Sequence, residues 1–497
     1  MDMDTDLMGP TARKLKVRAQ SLSIAFVLVA ALASAVHAQV SPLGAGSSAG
    51  VSNNPAATPA PRASVLAYGV DAGVGESDNV TLAPTDKISQ TIATTDVDFT
   101  VKDQSRLFDV NAAGRFAYLD YLQHAFRSQL TGRFDGEGRV AIVPGRLMWV
   151  VQDDFGQAAI DPYTAVTPAN IENINYFSTG PDLFMRLGGL SFINLSARYA
   201  RAQYQTSPYS SNRGSGILAV GRDVSASASV SLNADFERVM FENTVVNTDF
   251  DRTSGFGRYE LHGARTDFEG DLGASRISQA PRIGQEGTST SGPLAKVKLS
   301  RRLSAAAKLT LIAGRELTDA ASSFSTLQTG AIGAGGMIGA GGMIGSAPAA
   351  LTSDNYTSNY GSIGWEYLRN RTAIALAARW ERDTYSGQPQ LNVNRPVADI
   401  DIHRQLTRAF SAQLLGRFYK TDYPNAAIAS NTGSSNYGDW LVESALTWRH
   451  GRGLEIRLRY DHSSHEVSAG GSGYSENRVF LTVGYRPRSM TESTEPL

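Results

Sequence analysis

From Val65 to Tyr485 the chain alternates apolar and polar residues at period two, and nowhere in that span are there the roughly 20 consecutive apolar residues that a membrane helix needs. In 371–383, RTAIALAARWERD, one face carries Ile374, Leu376, Ala378 and Trp380, while the other carries Ala375, Ala377, Arg379 and Glu381. In 440–449, Trp440, Val442, Leu446 and Trp448 oppose Glu443, Thr447 and Arg449. In 453–461, Leu454, Ile456, Leu458 and Tyr460 oppose Glu455, Arg457, Arg459 and Asp461. A soluble sandwich or propeller buries large aliphatics and exposes charge. Here the charged face is the one that arginine and glutamate share, and the other is almost free of charge, so the apolar face belongs against lipid. A chain can cross a membrane only as helices or as a closed barrel, because every backbone polar group must be satisfied within it. The expected fold is therefore all-β, an antiparallel up-and-down transmembrane β-barrel.

The connections count the strands. Short ones fall near 103–106, 188–189, 222–223, 264–266, 301–302, 369–371, 405–408 and 450–453, and longer polar stretches alternate with them near 77–93, 155–175, 205–213, 243–252, 281–291, 317–356, 385–392, 422–436 and 468–474. Short periplasmic turns alternating with long outer loops is barrel topology. In 120–146 both Asp135-Gly136-Glu137-Gly138 and Pro144-Gly145 read as turns, and either choice leads to about 18–20 strands, with 20 the best count. With both ends in the periplasm the number must be even. Strands of roughly 9–11 residues are expected.

Four basic residues, Arg13, Lys14, Lys16 and Arg18, precede an apolar run from Leu22 to Ala33 that ends in small residues. That layout predicts a signal peptide over 1–38, cleaved after Ala38. A Ser, Gly, Ala and Pro-rich stretch, 39–64, reads as a flexible periplasmic lead, 65–486 as the barrel, and 487–497 as a periplasmic tail. Many outer-membrane barrels end on an aromatic residue that the barrel-assembly machinery recognises. Here the alternation stops at Tyr485, which would serve as an internal version.

With no cysteine, disulfides and thiolate metal sites are excluded. Net charge is −1, and removing four basic and three acidic residues with 1–38 leaves −2, so a nucleic-acid partner has no electrostatic footprint. Of the 46 basic residues 38 are Arg, whose planar guanidinium suits fixed pairing with carboxylates inside a barrel. The lumen-facing charges expected to matter are Arg379, Glu381, Arg417, Glu443, Arg457 and Arg459. Their mixed signs favour neither anions nor cations. The stretch 153–175, with Asp153, Asp154, Asp161 and Glu172, is a candidate constriction loop.

Catalytic, cofactor and metal residues are not expected. His462 and His465 form the closest histidine pair, but a spacing of three on a strand sends them to opposite faces. Asp96/Asp98 and Asp399/Asp401 share faces but are expected to pair with arginines rather than calcium. The duplicated Ala-Gly-Gly-Met-Ile-Gly at 334–339 and 340–345 lacks the following helix that a phosphate-cradling loop requires, and reads as a duplication in a tolerant loop.

Glu76-Ser-Asp-Asn-Val-Thr-Leu-Ala-Pro84, Thr167-Pro-Ala-Asn170, Phe177-Ser-Thr-Gly-Pro-Asp182 and Arg186-Leu-Gly188 resemble a group of Gram-negative outer-membrane β-barrel porins found with exopolysaccharide export and protein-sorting (PEP-CTERM) systems. The likeness spans about 65–486. It implies an outer-membrane channel for hydrophilic solute or polysaccharide, accessory to exopolysaccharide secretion, with outer-membrane lipid, lipopolysaccharide and export components as partners. A non-conducting structural or surface-interaction barrel is the alternative, and an outer-leaflet hydrolase ranks below both.

Overall fold

The computed structural model describes residues 64–164, 166–281, 286–324, 350–426, 436–451, 453–467 and 473–487. The expected signal peptide, most of the lead, the 334–345 duplication and nearly all of the tail lie outside the described residues. The first strands are β1 Ser64–Ser77, β2 Gln90–Gln104, β3 Phe108–Tyr121, β4 Gln129–Val143, β5 Leu147–Ala159, β6 Ile171–Leu187 and β7 Ser191–Tyr204. Then follow β8 Ser211–Asp223, β9 Ala228–Phe241, β10 Phe250–His262, β11 Thr266–Gln279, β12 Ser289–Arg302, β13 Ala307–Asp319 and β14 Asn355–Arg369. The last are β15 Thr372–Tyr385, β16 Val393–Gln405, β17 Phe410–Asp422, β18 Asn436–His450, β19 Leu454–Val467 and β20 Tyr474–Tyr485.

Each strand pairs antiparallel with its neighbours in sequence, and β1 closes on β20 from Val70↔Tyr485 to Ser77↔Arg478. The result is a closed barrel of 20 strands, which leaves no free sheet edge at either terminus. Nine short connections share one end with the start of β1 and the end of β20; ten longer ones, from 205–210 up to 320–354, share the other. Among the described residues no helix is long and apolar enough to cross a membrane.

Period-two alternation sets the two faces. Outward stand Leu66, Val74, Leu195, Leu232, Phe236, Leu272, Trp380, Trp440, Leu458 and Leu481, each with at least 43% of its surface exposed. Large apolar side chains left bare in this number need a covering, and a closed wall with such a belt is suited to lipid. Between strands, short turns use residues that tolerate positive φ: Asn370 joins β14 to β15, and Gly188 joins β6 to β7.

Two details differ from expectation. Strands run 12 to 17 residues rather than 9–11, because the wall continues past the apolar belt toward the long loops. In 120–146 the chain turns at 144–146, with a loop at 122–128, and Asp135 to Gly138 lies within β4. Gly136 serves close packing there: a Cβ on it would lie 2.6 Å from Cζ of Phe134, whose ring covers it.

Prolines mark three breaks in the ladder. Pro181 and Pro396 each sit where two residues lose their partners on one neighbouring strand, since β6–β7 pairing skips Gly180–Pro181 and β16–β17 pairing skips Arg395–Pro396. Pro293 lies in the largest break, where β12 has no partner on β13 above Ala295↔Arg315. Proline cannot donate to a ladder and belongs on an edge.

Candidate functional site

The site is the inner face of the wall and the loop-bearing mouth above it. Inward residues form rows fixed by register, and the charged ones meet their partners across or along strands. Arg395 of β16 faces Glu381 of β15 at 3.0 Å, and Arg417 of β17 faces Asp399 of β16 at 2.5 Å. Arg457 of β19 reaches Glu443 of β18 at 3.0 Å and Gln413 at 3.1 Å. Arg459 lies 3.2 Å from Asp461 on its own strand and 4.5 Å from the centre of the Phe480 ring. Arg379 has no carboxylate within 4.0 Å among the described residues; Glu381 and Asp399 lie within its electrostatic reach, as do the like charges of Arg395 and Arg417. Arg133 of β4 lies within electrostatic reach of Arg417, and Arg115 of β3 within reach of Arg457 and Arg459. The arginine rows of β15–β19 therefore look toward those of β3 and β4.

At the short-turn end the closing seam has its own fastening. Arg486, just past β20, donates to Asp71 of β1 at 2.8 Å, to Asp98 of β2, and to Glu455 of β19 at 3.0 Å. One guanidinium thus spans four neighbouring strands across the closure.

Of the four residues expected on a constriction loop, only Asp161 lies on a connection. Asp153 and Asp154 belong to β5 and Glu172 to β6, because the sheet continues through them and the loop shrinks to 160–170. Asp154 points inward directly across from Asp135 and accepts from the Gln152 amide at 2.8 Å. Adjacent residues on a strand face opposite ways, so Asp153 points outward; it is only 3% exposed, and Asn175 donates to it at 2.8 Å. Glu172 accepts the backbone N–H groups of Thr206 and Ser207 at 2.7 and 2.9 Å, which fastens the 205–210 loop.

The 160–170 loop crosses the mouth. Asn170 knits its base, its amide donating to the Asp161 carbonyl at 2.9 Å and its Oδ1 accepting from Asp161 N–H at 2.8 Å. From that base Tyr163 extends to the far wall, packs edge-on against Tyr423 with ring centres 4.8 Å apart, and donates to the Gln390 carbonyl at 2.9 Å. Tyr437 of β18 donates to the Pro162 carbonyl at 3.1 Å. Burial, with Asp161 beside it, pushes the Tyr163 phenol above its ordinary value, so it remains a donor.

A second segment crosses the other way. Residues 320–324 make one helical turn, and Ala321 and Phe324 pack with Leu351 on Ala158 of β5, Ile174 of β6, and Ala202 and Tyr204 of β7. Tyr356 donates to Ser323 at 2.6 Å. These contacts were not legible from sequence, since the pattern marks a long polar connection without saying where it folds.

His465 faces inward, with Nδ1 2.8 Å from Asp439 Oδ1 and its ring stacked 4.8 Å from Tyr474, whereas His462 faces outward to Asn477 at 2.8 Å. Asp96 and Asp399 meet Arg115 and Arg417. Among the described residues no three His, Cys, Asp or Glu side chains are grouped to hold a metal ion.

No protein-family model matches the chain, and no curated protein matches it. Among solved structures it is similar to the FrpB iron transporter from Neisseria meningitidis, at 8% identity over 84% of this chain and 81% of that one, with a TM-score of 0.40. The copper transporter OprC matches at 10% identity over 85% and 81%, TM-score 0.41. The ferric enterobactin receptor PfeA from Pseudomonas aeruginosa matches at 10% over 84% and 80%, TM-score 0.40.

Proposed function

We propose that the protein is an exported outer-membrane channel of a Gram-negative bacterium that passes a hydrophilic solute, and that it is not an enzyme. The observation that carries this reading is the closed wall with an exposed apolar belt outside and paired Arg, Asp and Glu rows inside. A barrel of 16 or more strands has room for water unless loops fill it. The inward charges at Arg379, Glu381, Arg417, Glu443, Arg457 and Arg459 set the field that a solute meets. Outer-membrane lipid and lipopolysaccharide surround the belt, and the barrel-assembly machinery inserts it through the signal around Tyr485. The resemblance to porins found with exopolysaccharide export supports polysaccharide as the cargo and secretion components as partners.

The two segments crossing the mouth favour a second reading, a non-conducting barrel whose loops act as plug or contact surface. Single-channel recording of the refolded protein in planar bilayers separates the two. Discrete conductance steps support the channel. A protein that inserts but stays silent, even after 321–350 is deleted, supports the structural barrel and overturns the channel.

A further inference from the structure

The wall is not continuous where β12 meets β13. β12 pairs with β11 along its whole length, to Ser278↔Ser289, and β13 pairs with β14 to Asp319↔Asn355. Between β12 and β13, however, pairing stops at Ala295↔Arg315, so residues 289–294 of β12 form an edge inside a closed barrel. The end of β13 has turned inward: Leu317 is 4% exposed and packs with Val239, Phe241, Phe250 and Ile277. Its side chain stands 3.9 Å from where a Gly292 Cβ would be, across the seam.

An open sheet edge is not tolerated against hydrocarbon. The outward residues beside this edge on β11 and β12 are polar, Arg276, Ser278, Ser289 and Ser291, with Arg238 and Asp251 alongside them on β9 and β10; the apolar belt begins at Phe236 of β9, in the same row as Arg276, and continues through Leu232 and Leu272, which are 75% and 73% exposed. The edge thus stands where a bilayer's head groups would lie. Against it, on the outer surface, runs a trough of about 670 Å³ lined by Thr253, Gly255, Ala274, Arg276, Ser278 and Ser291. Its floor of small side chains faces the apolar belt, and its upper rim is cationic. Asp251 is engaged by Arg238 at 2.8 and 3.0 Å, whereas Arg276 donates only to the Ser289 hydroxyl, at 2.7 Å, and has no carboxylate within 4.0 Å among the described residues.

We propose that this trough holds one lipid bearing a phosphate head group, with the phosphate on Arg276 and an acyl chain along Gly255 and Ala274. An exposed guanidinium matches a phosphate by paired charge-assisted hydrogen bonds. The missing side chains of Gly255 leave the chain's path open, for a Cβ there would meet nothing within 4 Å. A lipid seated so would cover the broken seam from outside. The proposal rests on the placement of the belt in a membrane, and the two fail differently. A barrel that does not insert into vesicles refutes the placement, and an inserted barrel that retains no such lipid refutes this site alone.

The test is native mass spectrometry of the full-length protein in maltoside micelles with dioctanoyl phosphatidic acid as probe, compared with dioctanoylglycerol and inorganic phosphate. One phosphatidate per barrel is expected, with the other two not retained. Arg276→Gln and Gly255→Leu should each weaken retention roughly tenfold, while heat-modifiable migration on a gel shows the barrel folded. Ala274→Leu fills the same trough and replaces Gly255→Leu should that variant not fold. Undiminished retention by the filled-trough variants overturns the proposal, as does equal binding of inorganic phosphate or of the uncharged glyceride.

Discussion

Arg213 of β8 and Asp319 at the end of β13 form a two-pronged ion pair, 2.5 and 3.1 Å, across five strands of the wall. Both side chains are almost fully buried, and Glu237 lies 3.5 Å from Arg213 and 2.6 Å from Arg252. The pair holds the inturned end of β13, and with it the 320–324 turn through Ser322, which also accepts from Arg213 at 3.0 Å. Removing one partner of a buried pair leaves an uncompensated charge and costs about 3–5 kcal/mol. Asp319→Asn should therefore lower the thermal midpoint and expose a cysteine placed at Phe324 to a water-soluble maleimide. The chain has no native cysteine, so labelling reports that site alone. An unlabelled Phe324→Cys, Asp319→Asn protein would show that the turn stays in place without the Arg213–Asp319 pair.

Tyr163 is the furthest reach of the 160–170 crossing. Tyr163→Ala removes the ring contact with Tyr423 and the hydrogen bond to Gln390, while Asn170 still ties the base. An aromatic pair with one hydrogen bond amounts to about 1–3 kcal/mol, enough to raise the open population of the mouth by a factor of several to a hundred. Open probability in single-channel traces should rise, with unit conductance unchanged if the narrowest point lies below. An identical open probability would mean that the crossing does not limit flow.

The barrel itself was legible because period two, turn length and parity all report the same wall. Residues 371–383 illustrate it: Trp380 is 43% exposed and Glu381 7%, as alternation requires. Legibility failed where one residue type serves two physical ends. Glycine at 136 looks like a turn former beside two acids, yet it is there to receive the Phe134 ring, and a sequence cannot distinguish the two uses. The Asp153-Asp154 dipeptide reads as loop polarity, but in a strand one of the two must face out, and the Asn175 amide that makes this tolerable comes from β6. Mouth contacts such as Tyr163 with Tyr423 join positions 260 residues apart with no periodic signal between them. Arg486 stands at the very end of the span read as barrel, past the last alternating residue, and nothing in the pattern marks it as the fastening of the closure.

Asp78 clasps the loop end of the closing seam. Its carboxylate accepts the Asn477 backbone N–H and side-chain amide, both at 2.7 Å, and Asn477 Oδ1 in turn receives Tyr460 and His462, each at 2.8 Å. Burial works against the charged form, but the two bonds from Asn477, helped by Lys87, outweigh it and hold Asp78 below its ordinary value of 3.8. A depressed carboxylate contributes stability that is present above its unfolded value and lost as pH falls through the folded one. Protection of the Asn477 amide, referred to its intrinsic exchange rate, should therefore be constant from neutrality to about pH 4 and fall below that. Asp78→Asn should remove the dependence. Protection that falls equally in both proteins would assign the loss to another group.

Glu443 and Arg457 allow the lumen field to be shifted in either direction from one ion pair. Glu443 is 1% exposed and 3.0 Å from Arg457, which also reaches Gln413 and so keeps a partner if the acid is neutralised. Glu443→Gln adds one net positive charge to the wall that carries Arg457 and Arg459, and a lumen with excess cation favours anions. In a potassium chloride gradient the reversal potential should move toward the chloride value. Arg457→Gln should move it toward potassium, because Glu443 then loses its nearest counter-charge. The stability cost differs as well: an isolated buried carboxylate is the more poorly compensated product, so Arg457→Gln should lower the thermal midpoint further than Glu443→Gln. Reversal potentials that move together, or not at all, would mean that ions pass elsewhere than along β17–β19.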